Sequence, residues 1–319
     1  MSHTDRRTQV LDPRGLYEID TEVEGASGLD PAAGGTGPVL VNALRGLVDA
    51  GSTGALAVEH LLAASETSRL VTFDIDQLLD YRSKRPTMVF DSNAFSSYDA
   101  PVLAIDVAHD TEGTPFLVLH GSEPDVQWER FVAAVCSLVE RFGVSLTVGM
   151  YGIPMGIPHT RAMSATAHAT DSTLIGHATS WFGKVKVPAS VANLLELRLG
   201  EIGRDAIGYA VHVPHYLAQA AYPPAAIVAL NHVEAATGLS LGTEALVTAA
   251  GEARESIERQ VAESEEVAEV VRGLEEQYDA FARSAERGSL LADAAPIPTA
   301  DELGAEFERF LAQQGPEAQ

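Results

Sequence analysis

The chain has 319 residues, 46% of them hydrophobic, a single cysteine and a formal net charge of −24. That is enough chain for one large α/β domain with extensions or for two small domains. So acidic a surface repels a polyphosphate backbone, which argues against nucleic acid as a partner. No run approaches the roughly 20 apolar residues of a membrane span, and the start, Met1-Ser-His-Thr-Asp-Arg-Arg7, has no apolar signal stretch, so a cytoplasmic protein off the membrane is expected.

The apolar periodicity then alternates between 2 and 3.6 in the βαβ manner. Gly37 to Leu44 reads as a short buried strand, led in by the loop Gly34-Gly-Thr-Gly37. Asp49-Ala-Gly-Ser-Thr-Gly54 opens a helix over 54–64, and Arg69 to Asp74 is a second strand. The basic run Arg82-Ser-Lys-Arg85 is read as a solvated loop, with a dedicated anion or partner site as the alternative. Pro101 to Ala108 and Pro115 to His120 flank Asp110-Thr-Glu-Gly-Thr114, a hairpin turn by composition. Val126 to Phe142 is an amphipathic helix whose buried face takes Cys136 as an inert thiol.

Val144 to Gly149 is a strand that feeds the segment Gly149-Met-Tyr-Gly-Ile-Pro-Met-Gly-Ile-Pro-His-Thr-Arg161, the kind of polar, glycine-rich loop in which α/β proteins place their sites. A helix over 190–203, a strand over 206–212 and a helix over 224–237 complete the alternation. The fold expected is α/β, with a mainly parallel or mixed sheet covered on both faces by helices, over residues 1–241 including an N-terminal arm. From about Gly242 strands disappear and glutamate becomes dense over two helices, 244–261 and one capped by Ser264. In the second, Val267, Val271, Leu274, Tyr278, Phe281 and Ala285 form a coiled-coil-like seam, so residues 242–287 read as a protruding acidic helical hairpin. Residues 288–319 read as a Pro-rich connector, a short docking helix with a Thr299/Glu302 capping box and a disordered tail.

Candidate chemistry gathers at two bends. Around Asp49, Gly51, Ser52 and Thr53, a strand-to-helix turn would present backbone N–H groups to a phosphate or carboxylate; the alternative is a tight turn capped by Ser52 or Thr53. At His159, Thr160 and Arg161, a guanidinium fork beside an imidazole could bind an anion and move a proton. The structural alternative pairs Arg161 with an acid such as Asp171 and leaves His159 bonded to backbone. Tyr151 could stack on a base or a partner side chain, or serve the core. His168 and His177 lack metal-ligand spacing, so no metal is expected, and His212 and His215 suit core or interface hydrogen bonds. Ser164, His168 and Asp171 lie too close along one strand to converge as a triad, and no nucleophile elbow is present.

The segment Pro158-His-Thr-Arg161, together with Asp49-Ala-Gly51, Glu123-Pro-Asp125 with Trp128, Val213-Pro-His-Tyr216 and Leu274-Glu-Glu-Gln-Tyr-Asp279, resembles the proteasome assembly chaperone family in its actinobacterial form. The likeness runs from near Leu11 to about Leu311. It departs at Ala162, where the family places proline, and at Arg45-Gly-Leu-Val48. The resemblance implies a three-layer sandwich of the phosphorylase/hydrolase type, a homo-oligomer such as a trimer or related ring, and a protein partner. The end Glu317-Ala-Gln319 lacks the hydrophobic-Tyr-any tripeptide through which proteasome-binding relatives dock. The family also carries the label of carboxylate-amine ligases, for which neither a lysine-rich nucleotide clamp nor a magnesium pair is found. Two readings result: an oligomeric interaction or assembly protein without turnover, or an enzyme or sensor of a small anionic or nucleotide-like ligand, with no cofactor named.

Overall fold

The computed structural model describes residues 11–29, 37–176 and 184–286. Among the described residues ten strands run in chain order as β1 (Tyr17–Ile19), β2 (Val39–Arg45), β3 (Ser68–Phe73), β4 (Met88–Asp91), β5 (Ala94–Tyr98), β6 (Leu103–His109), β7 (Pro115–Ser122), β8 (Leu146–Met155), β9 (Ala165–Ala169) and β10 (Ala206–Pro214). The helices are α1 (Thr21–Ala26), α2 (Thr53–Ala64), α3 (Trp128–Arg141), α4 (Val191–Glu201), α5 (Pro223–Thr237), α6 (Glu244–Glu263) and α7 (Glu265–Glu286). Eight strands form one sheet in the order β1-β3-β6-β7-β2-β8-β10-β9, while β4 and β5 form a separate ribbon. Strands β7, β2, β8 and β10 are parallel, and antiparallel pairs extend the sheet on both sides. The mixed, three-layer α/β sandwich expected from sequence is what the chain forms.

Alternation along β2 explains the two cores. Leu40 faces a layer built by α3 and α4, with the Phe73 ring tilted against Phe131 at 4.9 Å between ring centroids; Val41 and Ala43 face α2 and α5. Helix α3 shows Phe131, Val132, Val135, Leu138 and Val139 to the first layer at helical spacing. On the second layer, α5 starts on Pro223 and stops at Gly238, whose φ of 74° accommodates the left-handed cap. Cys136 lies half-buried on α3, and burial pushes its thiol up to about 11, which leaves it protonated and inert.

Two elements differ from the sequence reading. Strand β8 does not stop at Gly149 but runs on through the glycines and Pro154 to Met155, because β10 pairs with it residue for residue as far as Pro214. The ribbon β4–β5 had no counterpart in the sequence reading, and every residue of both strands is exposed. Near it, Lys84 of the basic run pairs with Asp125 at 3.0 Å and donates to the Glu123 carbonyl at 3.1 Å. On α7, Val271 and Leu274 are buried and Tyr278 and Phe281 half-buried, so this stretch of the seam is occupied within the chain, while Val267 at its start is exposed. The loop over 34–36, His177, and the connector, docking helix and tail expected over 288–319 lie outside the described residues, as does the side chain of Ala285.

Candidate functional site

The bends after β2, β8 and β10 emerge at the carboxyl edge of the parallel strands, where α/β sheets place their ligands. They are tied together there. Asp49 accepts from the N–H groups of Gly54 (2.8 Å), Ala55 (3.0 Å) and, across the rim, Gly152 (3.2 Å). Gly51 N–H donates to the Ala218 carbonyl at 2.8 Å, and Tyr222 N–H returns a bond to Gly51 at 2.9 Å. Thr53 donates its hydroxyl to the Ala50 carbonyl at 2.7 Å, and Ser52 N–H bonds Asp49 O at 3.0 Å. The amide nest that could hold an outside anion therefore holds the protein's own carboxylate. Burial raises the Asp49 carboxyl above its ordinary value, against the three N–H bonds that lower it. Gly152 is required: a Cβ there would sit 2.0 Å from the Ala50 carbonyl oxygen.

The loop after β8 is clasped by α7. Arg161 meets both oxygens of Asp279 at 2.8 Å, a two-pronged pair, and reaches Glu275 at 3.0 Å with its third nitrogen. Thr160 donates to the same Glu275, and Tyr278 donates to the Ala162 carbonyl at 3.0 Å. Arg161 thus pairs 118 residues downstream and not with Asp171, which caps its own turn by accepting from Thr173. His159 is held by Tyr216: the tyrosine oxygen accepts from the His159 N–H at 2.8 Å and lies 2.7 Å from Nδ1. Burial holds the His159 imidazole below its ordinary value, favouring the neutral ring, with Nδ1 already engaged. Three of the sequence segments that carried the family likeness, around Pro158–Arg161, Pro214–Tyr216 and Leu274–Asp279, therefore converge on one cluster. A recess of about 370 Å³ remains between this loop and α6, lined by His159, Thr160, Arg161, Tyr222 and Arg254.

Tyr151 is not part of that recess. It lies on the opposite face of β8, half-buried, with its hydroxyl 3.1 Å from His168 Nε2; His168 Nδ1 in turn lies 2.9 Å from Glu196 on α4. Burial, reinforced by the Glu196 charge, pushes the Tyr151 phenol up to about 12. This Tyr151–His168–Glu196 chain sits at a second cavity, of about 340 Å³, between the sheet and α4. Sequence reading missed Glu196, Asn42 and Thr147 of this cavity, because none belongs to a motif and only strand register unites them. His212 bonds the hydroxyls of Ser164 and Thr166 at 3.1 and 2.8 Å, whereas His215 Nδ1 is buried with no hydrogen-bond partner. Among the described residues no three His, Cys, Asp or Glu side chains group as metal ligands, and no helix is long and apolar enough to cross a membrane.

The model of the PAC2 family matches residues 43–261, most of the chain. The chain belongs to the PAC2 family. A solved Mycobacterium tuberculosis protein of unknown function, Rv2714, is 44% identical over 97% of this chain and 99% of its own, with a TM-score of 0.82. A Corynebacterium glutamicum protein of unknown function is 36% identical over 83% of this chain and 97% of its own, with a TM-score of 0.77. A PAC2 family protein from Streptomyces avermitilis is 25% identical over 73% of this chain and 99% of its own, with a TM-score of 0.65. No protein of curated function matches.

Proposed function

We propose that this PAC2 protein is a cytoplasmic, homo-oligomeric interaction or assembly protein, a trimer or related ring, whose partner is another protein. The observation that carries the reading is the β4–β5 ribbon: Met88, Val89, Phe90, Phe95 and Tyr98 are all exposed, at 49–67%. A two-stranded ribbon is barely stable in water by itself, and exposed apolar side chains grouped on one mark a surface that another chain covers. In this reading residues 1–241 are the α/β unit and 242–287 the acidic helical pair, while 288–319 lie outside the described residues. Sedimentation velocity tests this. Wild type should sediment as an oligomer at micromolar concentration, and the double variant Phe90→Ser, Phe95→Ser as a folded monomer; a monomeric wild type sinks the reading.

A second reading is favoured by the recess beside Arg254, where a small anionic or nucleotide-like ligand would meet His159, Thr160 and Arg161, with Asp49, Gly51, Ser52 and Thr53 on the adjoining rim. Against it, Arg161 and the Gly51, Gly54 and Ala55 amides are already engaged. A thermal-shift series with phosphate, ATP and amino acids decides, since a ligand at a hundredfold its Kd adds about 2.7 kcal/mol.

A further inference from the structure

The cavity beneath α4 arises from one row of the sheet. Strand register places Asn42, Gly149, Gly208 and His168 side by side across β2, β8, β10 and β9. Four strands at about 4.8 Å spacing separate the outer two by roughly 14 Å. The inner two carry no side chain, where a core row would carry valine or leucine. The His168 ring leans over Gly208, at which a Cβ would stand 2.0 Å from Cε1, and the Asn42 amide leans over Gly149 from the other side. In the next rows Thr147 and Ala210 are also small, so the sheet and α4 leave a space of about 340 Å³ between them here. Exposed Leu47 and Val187 stand at its border.

Its polar groups define what would fill it. Asn42 and Thr147 line the cavity at 4% and 2% exposure, and Asn42 Oδ1 and Thr147 Oγ1 are buried without any hydrogen-bond partner. Orphaned buried polar atoms cost stability, so a fold that keeps two beside an empty space has a reason outside its own packing. Among the described residues no lysine or arginine lines the cavity, and its two carboxylates are each engaged, Glu123 by the Val191 N–H at 2.6 Å and Glu196 by His168. An anion would enter against two carboxylates with no cation to meet it, and an ammonium would shed its hydration in a largely apolar space where each carboxylate already accepts a hydrogen bond. A head group that both donates and accepts satisfies Asn42 whichever way its amide is turned, and the Thr147 hydroxyl with it. A 150 Å³ apolar cavity holds benzene, so this one suits about a dozen non-hydrogen atoms.

We propose that this cavity is a binding site for an uncharged molecule with an apolar body and a hydroxyl or primary amide head. The site is on the other face of the sheet from the Arg161 cluster and is independent of the assembly reading. The test is a matched series of six-carbon probes, hexan-1-ol, hexanamide, hexanoate and hexylammonium, titrated into the full-length protein by thermal shift and by NMR. The alcohol and the amide should bind saturably, and at least tenfold better than either ion. Asn42→Leu should weaken them about tenfold or more while the ligand-free melting temperature holds or rises, because an orphaned polar group has been replaced by an apolar one of like size. Thr147→Val, which keeps the shape, should weaken them as well and serves if the first variant does not fold. Absence of binding by all four probes overturns the proposal, as does preference for an ion, unchanged affinity in both variants, or a clear fall in the ligand-free melting temperature of folded Asn42→Leu.

Discussion

The rim around Asp49 and Arg161 and the cavity beneath α4 lie on the two faces of the same strands, and they treat polar groups in opposite ways. On the rim the N–H and guanidinium donors that stood out in the sequence are matched within the chain: Gly51, Gly54, Ala55 and Gly152 by carbonyls or the Asp49 carboxylate, Arg161 by Asp279 and Glu275. Under α4, residues that no motif contains leave buried polar atoms unmatched over a floor of glycine. His215 Nδ1 apart, conspicuous chemistry here joins the chain to itself, and inconspicuous chemistry has been left open. A residue's type says what it can bond, and only its neighbours say whether that capacity is still free.

If the rim is structural in this sense, the largest effect of any single change belongs to Asp49. Asp49→Ala removes the acceptor of three N–H groups, two in the first turn of α2 and one in β8, and unfolding in urea should show a loss of about 3–5 kcal/mol. Asp49→Asn should cost clearly less, since it retains one acceptor and carries no buried charge, whose desolvation is what raises the native carboxyl. Equal stability of wild type and Asp49→Ala would mean that the rim is held by other contacts.

Next in size is a pH effect from the sheet itself. Burial pushes the His212 imidazole down to about 4, between the hydroxyls of Ser164 and Thr166. In the unfolded chain it takes its proton near 6.5, so between these values the unfolded state binds more protons and stability falls as the pH is lowered. The full contribution is present above about 6.5 and lost on approaching 4, about 3 kcal/mol in all at 1.36 kcal/mol per pH unit. Urea unfolding at pH 7.0, 5.5 and 4.5 should show this slope in wild type and a shallower one in His212→Gln. Parallel slopes would place the imidazole in contact with solvent.

On the cavity side, Gly208→Ala sets a Cβ against the His168 ring and should break its link to Tyr151 or to Glu196 at about 2 kcal/mol, a typical cost of overpacking. The His168 Cε1 proton resonance reports it directly; an unmoved resonance would show that the ring does not lie over the glycine in solution.

Much of the fold was legible because local signals agreed. Helix α3 combines a continuous apolar face with a basic last turn, and Asp110 closes the β6–β7 turn by accepting from both Glu112 and Thr114 N–H. The β4–β5 ribbon was not legible, since its strands are of four and five residues, each mixing apolar and polar types with no face to bury. The end of β8 was misplaced because Gly152 and Pro154 punctuate a loop in sequence, whereas here close approach to Ala50 requires the first and the register with β10 carries the second. For the candidate residues the limit was distance along the chain. Asp171 is the acid nearest to Arg161 in sequence, but the choice of Asp279 depends on how α7 returns across the rim, which no local pattern encodes. Likewise the Asn42–His168 row exists only once four strands are in register.

The smallest expected effect sharpens the contrast most, because it separates two ways in which α7 could be held. Its inner side buries Val271 and Leu274, while its polar side gives Arg161 a planar, three-point grip. Lysine keeps the charge but presents a single ammonium, so Arg161→Lys surrenders the fork geometry and most of the hydrogen bonds without emptying any core position. Global melting should then be nearly unchanged, since the sheet and its two cores are untouched. Amide hydrogen exchange within 265–286 should rise, most in the turn that carries Glu275 and Asp279, as this helix opens locally ahead of the domain. If exchange there stays at the wild-type level, the apolar contacts alone fix the helix. The guanidinium would then be held by a scaffold that does not need it, and the recess beside Arg254 would become the stronger claim on it.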